Sequence, residues 1–174
     1  MKKLIYLMIL SLLMLTGCNN KKREELLQEK KEITCEKAEI IFTLNGLWEV
    51  EESKEINNTF TELSACHSET GTRIIVMHKN LENNMGDSIL RLEDYIEAVK
   101  ENLKISEEYN YSVGETTKTI LYGKEYDSFT ANAEKLNARQ QFYMKKKDNE
   151  LTIIIISLYG EDKLKDVLEL GKKE

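Results

Sequence analysis

Four consecutive isoleucines, Ile153 to Ile156, place the strongest limit on what this chain can become. A strand with one wet face alternates apolar and polar residues, whereas an unbroken apolar run needs cover on both faces. The segment Leu151–Tyr159 is therefore predicted to be a central strand. Ala38–Leu44 is also rich in β-branched and aromatic residues, and Ala138–Lys146 reads as the arm that precedes the isoleucines across Asp148-Asn149. With those two as the loop residues of a hairpin, Phe142 falls opposite Ile155 and Met144 opposite Ile153, so apolar side chains share a face.

The remaining elements follow from pattern. Asn45-Gly46 is a strong turn dipeptide, with Leu47–Glu51 as a short strand after it. Thr59–Glu69 and Thr72–Lys79 read as the arms of a hairpin around Thr70-Gly71, followed by a loop over Asn80–Ser88. Leu92, Tyr95, Ile96, Val99 and Leu103 form one stripe of an amphipathic helix. Ser112–Tyr122 and Lys124–Ala133 read as two long antiparallel arms around Gly123. Leu164, Val167 and Leu168 are the stripe of a closing helix over Glu161–Leu170, with Gly171 at its C-terminal end. The expected fold class is α+β: an antiparallel sheet flanked by helices on both faces, an α/β/α sandwich. There is no proline and no internal repeat, and residues 33–174 are the right size for one domain.

The N-terminus carries a different message. Lys2 and Lys3 precede an apolar run, Leu4–Leu15, that is too short for the roughly 20 residues a spanning helix needs. It has the anatomy of a secretory signal. Its ending, Leu15-Thr16-Gly17-Cys18, resembles the lipobox of bacterial lipoproteins. That resemblance implies a signal peptide over 1–17, recognition of Leu15, Thr16 and Gly17 by a lipoprotein signal peptidase, and a thioether-linked diacylglycerol on Cys18. Two acyl chains anchor stably where one is marginal.

Residues 18–32 then read as the lipidated cysteine and a polar tether, with Leu26 and Leu27 able to dock one turn on the domain. Lys21, Lys22 and Arg23 lie just beyond the lipid, either against anionic headgroups or simply solvated. Cleavage before Cys18 takes the formal charge from −6 to −8, which argues against nucleic acid as a partner.

The order of elements resembles the PsbP-like family, which includes a photosystem subunit, a Ran-binding Mog-type transport factor and bacterial DcrB-type lipoproteins. The likeness lies in Ile40-Ile41-Phe42-Thr43-Leu44-Asn45-Gly46-Leu47-Trp48-Glu49-Val50 and in the Arg73–His78 strand. It continues through the Leu92–Leu103 helix, Ile120-Leu121-Tyr122-Gly123-Lys124-Glu125-Tyr126 and the final Arg139–Tyr159 hairpin with its helix. The family opening often has a proline before its Gly-Trp pair; Asn45-Gly46-Leu47 stands here instead, so the turn is expected to differ. The resemblance implies an architecture and a habit of binding other proteins, and no single reaction.

Candidate chemistry is sparse. In the proposed hairpin His67 faces Ile74 and Leu63 faces His78, which puts the two histidines on one face about 13 Å apart. That is too far for one metal ion ligated at about 2 Å, and surface histidines are the expectation. Cys66 and His67 are neighbours on a strand and point to opposite faces. Cys35 and Cys66 are an even pair in an exported chain, open to a disulfide or to two free thiols. Trp48, Tyr122, Tyr126 and Tyr143 suit a core more than a cleft. Glu49, Glu51, Glu52 and Glu55 lack the ligand order of a calcium loop, and Lys145-Lys146-Lys147 reads as a charged sheet edge.

No nucleophile elbow, zinc-protease helix, P-loop or dinucleotide fingerprint is present. The sequence thus points to a non-enzymatic lipoprotein without cofactor or metal, held outside the cytoplasm on the cell membrane, or on an outer membrane where there is one. Its expected partner is another envelope protein. An envelope hydrolase using carboxylate or thiol chemistry and a solute-binding lipoprotein are the alternatives.

Overall fold

A computed structural model describes residues 21–56, 58–81 and 91–173. The expectations for Leu15, Thr16, Gly17 and Cys18, and most of the loop expected after Asn80, fall outside those residues. A short helix, α1, runs over residues 21–28. It is followed by β1 (Lys31–Cys35), β2 (Ile40–Leu44), β3 (Trp48–Glu51), β4 (Lys54–Ile56), β5 (Thr59–His67) and β6 (Arg73–Asn80). Then come α2 (Leu92–Lys104), β7 (Tyr111–Val113), β8 (Thr117–Leu121), β9 (Lys124–Ala133), β10 (Ala138–Lys147), β11 (Glu150–Tyr159), α3 (Leu164–Leu168) and β12 (Gly171–Lys173).

The strands form two antiparallel sheets. The large one runs β3-β5-β6-β11-β10-β9-β7, with β4 also on β5 and β8 also on β9; the small one runs β1-β2-β12. The isoleucine strand β11 is central, between β6 and β10, and its hairpin with β10 has the expected register: Phe142 opposite Ile155 and Met144 opposite Ile153. Each edge of the large sheet is divided between two short strands, an arrangement that limits pairing with another chain.

Alternation along β11 feeds two cores. Ile154 and Ile156 pack with Phe42, Leu44 and Tyr126 beneath the small sheet. Ile153 and Ile155 point the other way, to Ile96 of α2 and to Phe129 and Phe142. Phe129 and Phe142 face each other across β9 and β10 and stack at 4.6 Å. One face of the sheet is thus covered by α2, as the stripe from Leu92 to Leu103 predicts. The other is covered mainly by β1, β2 and β12, with five-residue α3 contributing Val167.

The structure departs from the sequence reading at three places, the first two of them in that second layer. The closing helix is half its expected length, because Gly171 starts β12 and pairs with Phe42 instead of capping a helix. A side chain at Gly171 would strike Tyr122, whose Cε1 would lie 3.0 Å from its Cβ. β1 begins at Lys31, two residues inside the expected tether, and pairs along the whole of β2. The single arm expected over Ser112–Tyr122 is broken at Gly114, which turns off the sheet edge with its amide on the Thr130 carbonyl at 2.8 Å.

Candidate binding cleft

The β5–β6 hairpin is shifted from the expected register, and the shift creates the most distinctive polar site among the described residues. Ala65 faces Ile74 and Leu63 faces Val76, but Thr61 faces Met77, so a β-bulge inserts Glu62. The extra residue at a bulge can join its neighbour on one face of the sheet. Leu63 enters the core under the small sheet, and Glu62 turns to the same side at the margin of that core. There its Oε1 accepts the Lys37 amide at 2.9 Å, in the β1–β2 turn.

Glu62 meets His78. The ring Nε2 lies 2.7 Å from Glu62 Oε2, and both side chains are buried, 1% and 8% exposed. The other nitrogen, Nδ1, is 3.1 Å from Thr152 Oγ1 and 3.5 Å from Glu150 Oε1. Burial raises the Glu62 carboxyl, but the His78 bond and the Lys37 and Ala38 amides together outweigh it and hold the group below its ordinary range. An ionised Glu62 makes Nε2 the donor; in the neutral ring Nδ1 then accepts from the Thr152 hydroxyl. The surface histidine expected at 78 is therefore a buried one. The period-two run Ile74, Val76, His78 on β6 carried that signal.

Above this chain of bonds lies a cleft of about 570 Å³, bounded by Lys37, Asn58, Phe60, Lys147, Asp148 and Glu150, with His78 and Thr152 in its wall. Lys37 spans its mouth, its Nζ 2.8 Å from Glu150 Oε1 and 5.8 Å from the Phe60 ring centre. The rim offers two cations, three carboxylates (Glu55, Asp148 and Glu150) and an aromatic face, a set suited to a polar ligand or a charged peptide segment.

The other residues singled out in the sequence are scattered. His67 sits at the opposite end of β5 with its ring edge-on to Trp48 at 5.2 Å, about 20 Å along the strands from His78. Among the described residues no three metal-ligating side chains converge. Cys35 and Cys66 are free thiols. Cys35 belongs to the core under the small sheet, whereas Cys66 alternates with Ala65 and so lies on the far face of the large sheet. A bridge between them would have to pass through the sheet. Burial pushes the Cys35 thiol up to about 12, with the Glu62 charge adding to it. Tyr122, Tyr126 and Tyr143 are core side chains, Trp48 is half-buried, and of the acidic group Glu55 alone reaches the cleft. Lys147, read as edge protection, is part of the rim.

No family profile and no curated protein matches the sequence. Solved structures do. The chain is similar to cyanobacterial PsbP (CyanoP) from Synechocystis sp. PCC 6803, with a TM-score of 0.55 at 10% identity over 84% of this chain and 93% of that one. The Ran-binding protein Mog1p of Saccharomyces cerevisiae matches with a TM-score of 0.45 at 10% identity, over 76% of this chain and 78% of that one. A Bacteroides thetaiotaomicron VPI-5482 protein matches with a TM-score of 0.42 at 12% identity, over 84% of this chain and 49% of that one. At these identities the likeness concerns architecture: a mostly antiparallel sheet with helices, folded as a PsbP-like domain.

Proposed function

We propose that the chain is a lipoprotein of the cell envelope, anchored outside the cytoplasm through a diacylglycerol on Cys18, and that its domain binds another envelope component at the cleft over His78 without catalysing a reaction. The lipobox-like Leu15-Thr16-Gly17-Cys18 supports the anchor. The observation that carries the binding reading is the enclosure of His78. Both ring nitrogens are taken up by Glu62 and Thr152, and neither is open to a substrate proton. Recognition then belongs to the rim, and an envelope protein presenting a charged segment is the occupant that its mixed charges suit.

One observation favours a second reading. Thr152, His78 and Glu62 form a hydroxyl–imidazole–carboxylate chain of the kind that activates a nucleophile. It ranks second because Thr152 lies within central β11, where the backbone is engaged in pairing with both neighbouring strands and does not present a free oxyanion donor beside the hydroxyl.

Photo-cross-linking in cells from Asn58 or Lys147, compared with Ile105 on the α2 side, tests the binder. A partner captured from the rim positions alone is expected; capture equal to background from all three would overturn the proposal. Ester or amide hydrolysis by the purified protein that disappears in Thr152→Ala and His78→Gln would transfer the conclusion to the hydrolase.

A further inference from the structure

The tether is docked on the domain, and this has a consequence for how the domain meets a membrane. The Leu26 carbonyl accepts the Gly46 amide at 2.8 Å, so α1 is bonded to the turn between β2 and β3. Gly46 leaves room for this contact: a Cβ there would lie 2.9 Å from Leu26 Cδ2 and 3.0 Å from the Leu26 carbonyl oxygen. Arg23 adds a two-pronged bond to Glu69 in the β5–β6 turn, Nε to Oε1 at 2.6 Å and Nη2 to Oε2 at 3.0 Å. These contacts hold α1 against the end of the sheet where the β5–β6 turn and the β11–α3 loop meet.

A second, smaller cleft of about 370 Å³ lies at that end, lined by Arg23, Leu27, Trp48, Thr70 and Asp162 among others. The His78 cleft is at the other end, since β6 runs from Arg73 near the smaller cleft to Asn80 beside the His78 cleft. Seven strand residues at roughly 3.3 Å each separate the two ends by about 23 Å.

Covalent geometry supplies the rest. Cys18 is three residues before Lys21, so its Cα lies within about 11 Å of the start of α1 whatever path the chain takes. We infer that the domain sits against the phospholipid headgroups with the β5–β6 turn and the β11–α3 loop toward the bilayer and the His78 cleft facing away, its orientation set by the docked α1. This rests on the proposed acylation of Cys18.

Electrostatic attraction is not what holds it there. Lys21 and Lys22 are exposed beside the anchor, but Glu161, Asp162 and Asp166 line the same end. The orientation follows from tether length and docking, and should survive high salt. It also implies that whatever occupies the His78 cleft approaches from the aqueous side.

The test uses the lipidated protein purified from membranes and reconstituted in phosphatidylcholine/phosphatidylglycerol vesicles carrying a headgroup-attached acceptor dye. With Cys66→Ser as background, a donor is placed at Thr70→Cys or at Lys147→Cys. Energy transfer is expected to be several-fold stronger from position 70, and unchanged in 0.5 M salt (roughly a 4 Å screening length). Equal transfer, or stronger transfer from position 147, overturns the orientation. Adding Arg23→Glu and Leu26→Asp, both on α1 and outside the two cores, is expected to bring the two positions together; a persisting difference overturns the role of α1. Mass spectrometry of the same sample separates the two claims. An acylated protein with equal transfer refutes the orientation alone, while an unacylated N-terminus refutes the anchor and the orientation with it.

Discussion

Glu62 shows how much one residue can depend on its surroundings. In sequence it is one carboxylate among many; at the bulge it is buried against His78 with three hydrogen-bond donors. Because its folded pKa is lowered, its charged form stabilises the fold above the unfolded value of about 4.3, and that stabilisation is lost as the pH falls toward the folded value. Glu62→Gln is expected to cost about 2–3 kcal/mol at pH 7 by denaturant unfolding. The gap to the parent should narrow below about pH 4; a gap independent of pH would show that the charge is not involved. The two thiols give a second residue-scale prediction. Cys66 is half-buried and Cys35 fully enclosed, its pKa pushed up to about 12. In the native protein at pH 8 (roughly half a unit below the ordinary cysteine value), peptide mapping after maleimide treatment should find label on Cys66, and on Cys35 only after denaturation.

At the scale of elements, β11 has no spare face. Ile153 and Ile154 are neighbours in sequence but belong to separate cores, 4% and 0% exposed. Ile153→Ala and Ile154→Ala should therefore each destabilise the protein by about 2–5 kcal/mol, the range for emptying a buried site. In a strand with one wet face, one of the pair would be nearly neutral, and equilibrium unfolding of the two variants decides between these. The elements legible in the sequence are those with a strong local pattern: the helical stripe of α2, the unbroken apolar run of β11 with its turn to β10, and the β-branched and aromatic residues of β2. Those it missed are short and lean on partners. β1 has a single half-buried apolar residue, Ile33, before Cys35, and β12 is Gly-Lys-Lys, whose strand conformation comes from β2 alone.

At the scale of the molecule, the two ends of the sheet differ in kind. One carries the docked tether and the acidic, aromatic cleft; the other carries the His78 cleft with its charged rim. If Cys18 is the anchor, Cys18→Ala should leave the domain fully folded while fractionation finds it released from membranes or unprocessed. Unchanged lipid labelling of that variant would refute the assignment.

From the chain alone came the apolar core strand, its hairpin partner and register, the amphipathic helix and the sheet-rich class, because periodicity and turn residues are local properties that survive in one dimension. The signal-like N-terminus and the acidic balance were equally plain, being matters of composition and order. The candidate site was not. A bulge is a mismatch of one residue between two strands, and neither strand records it separately. The Glu62–His78–Thr152 chain joins three strands, and the covering layer joins residues from both ends of the sequence. Their coming together depends on how the sheets pack, which no local pattern encodes.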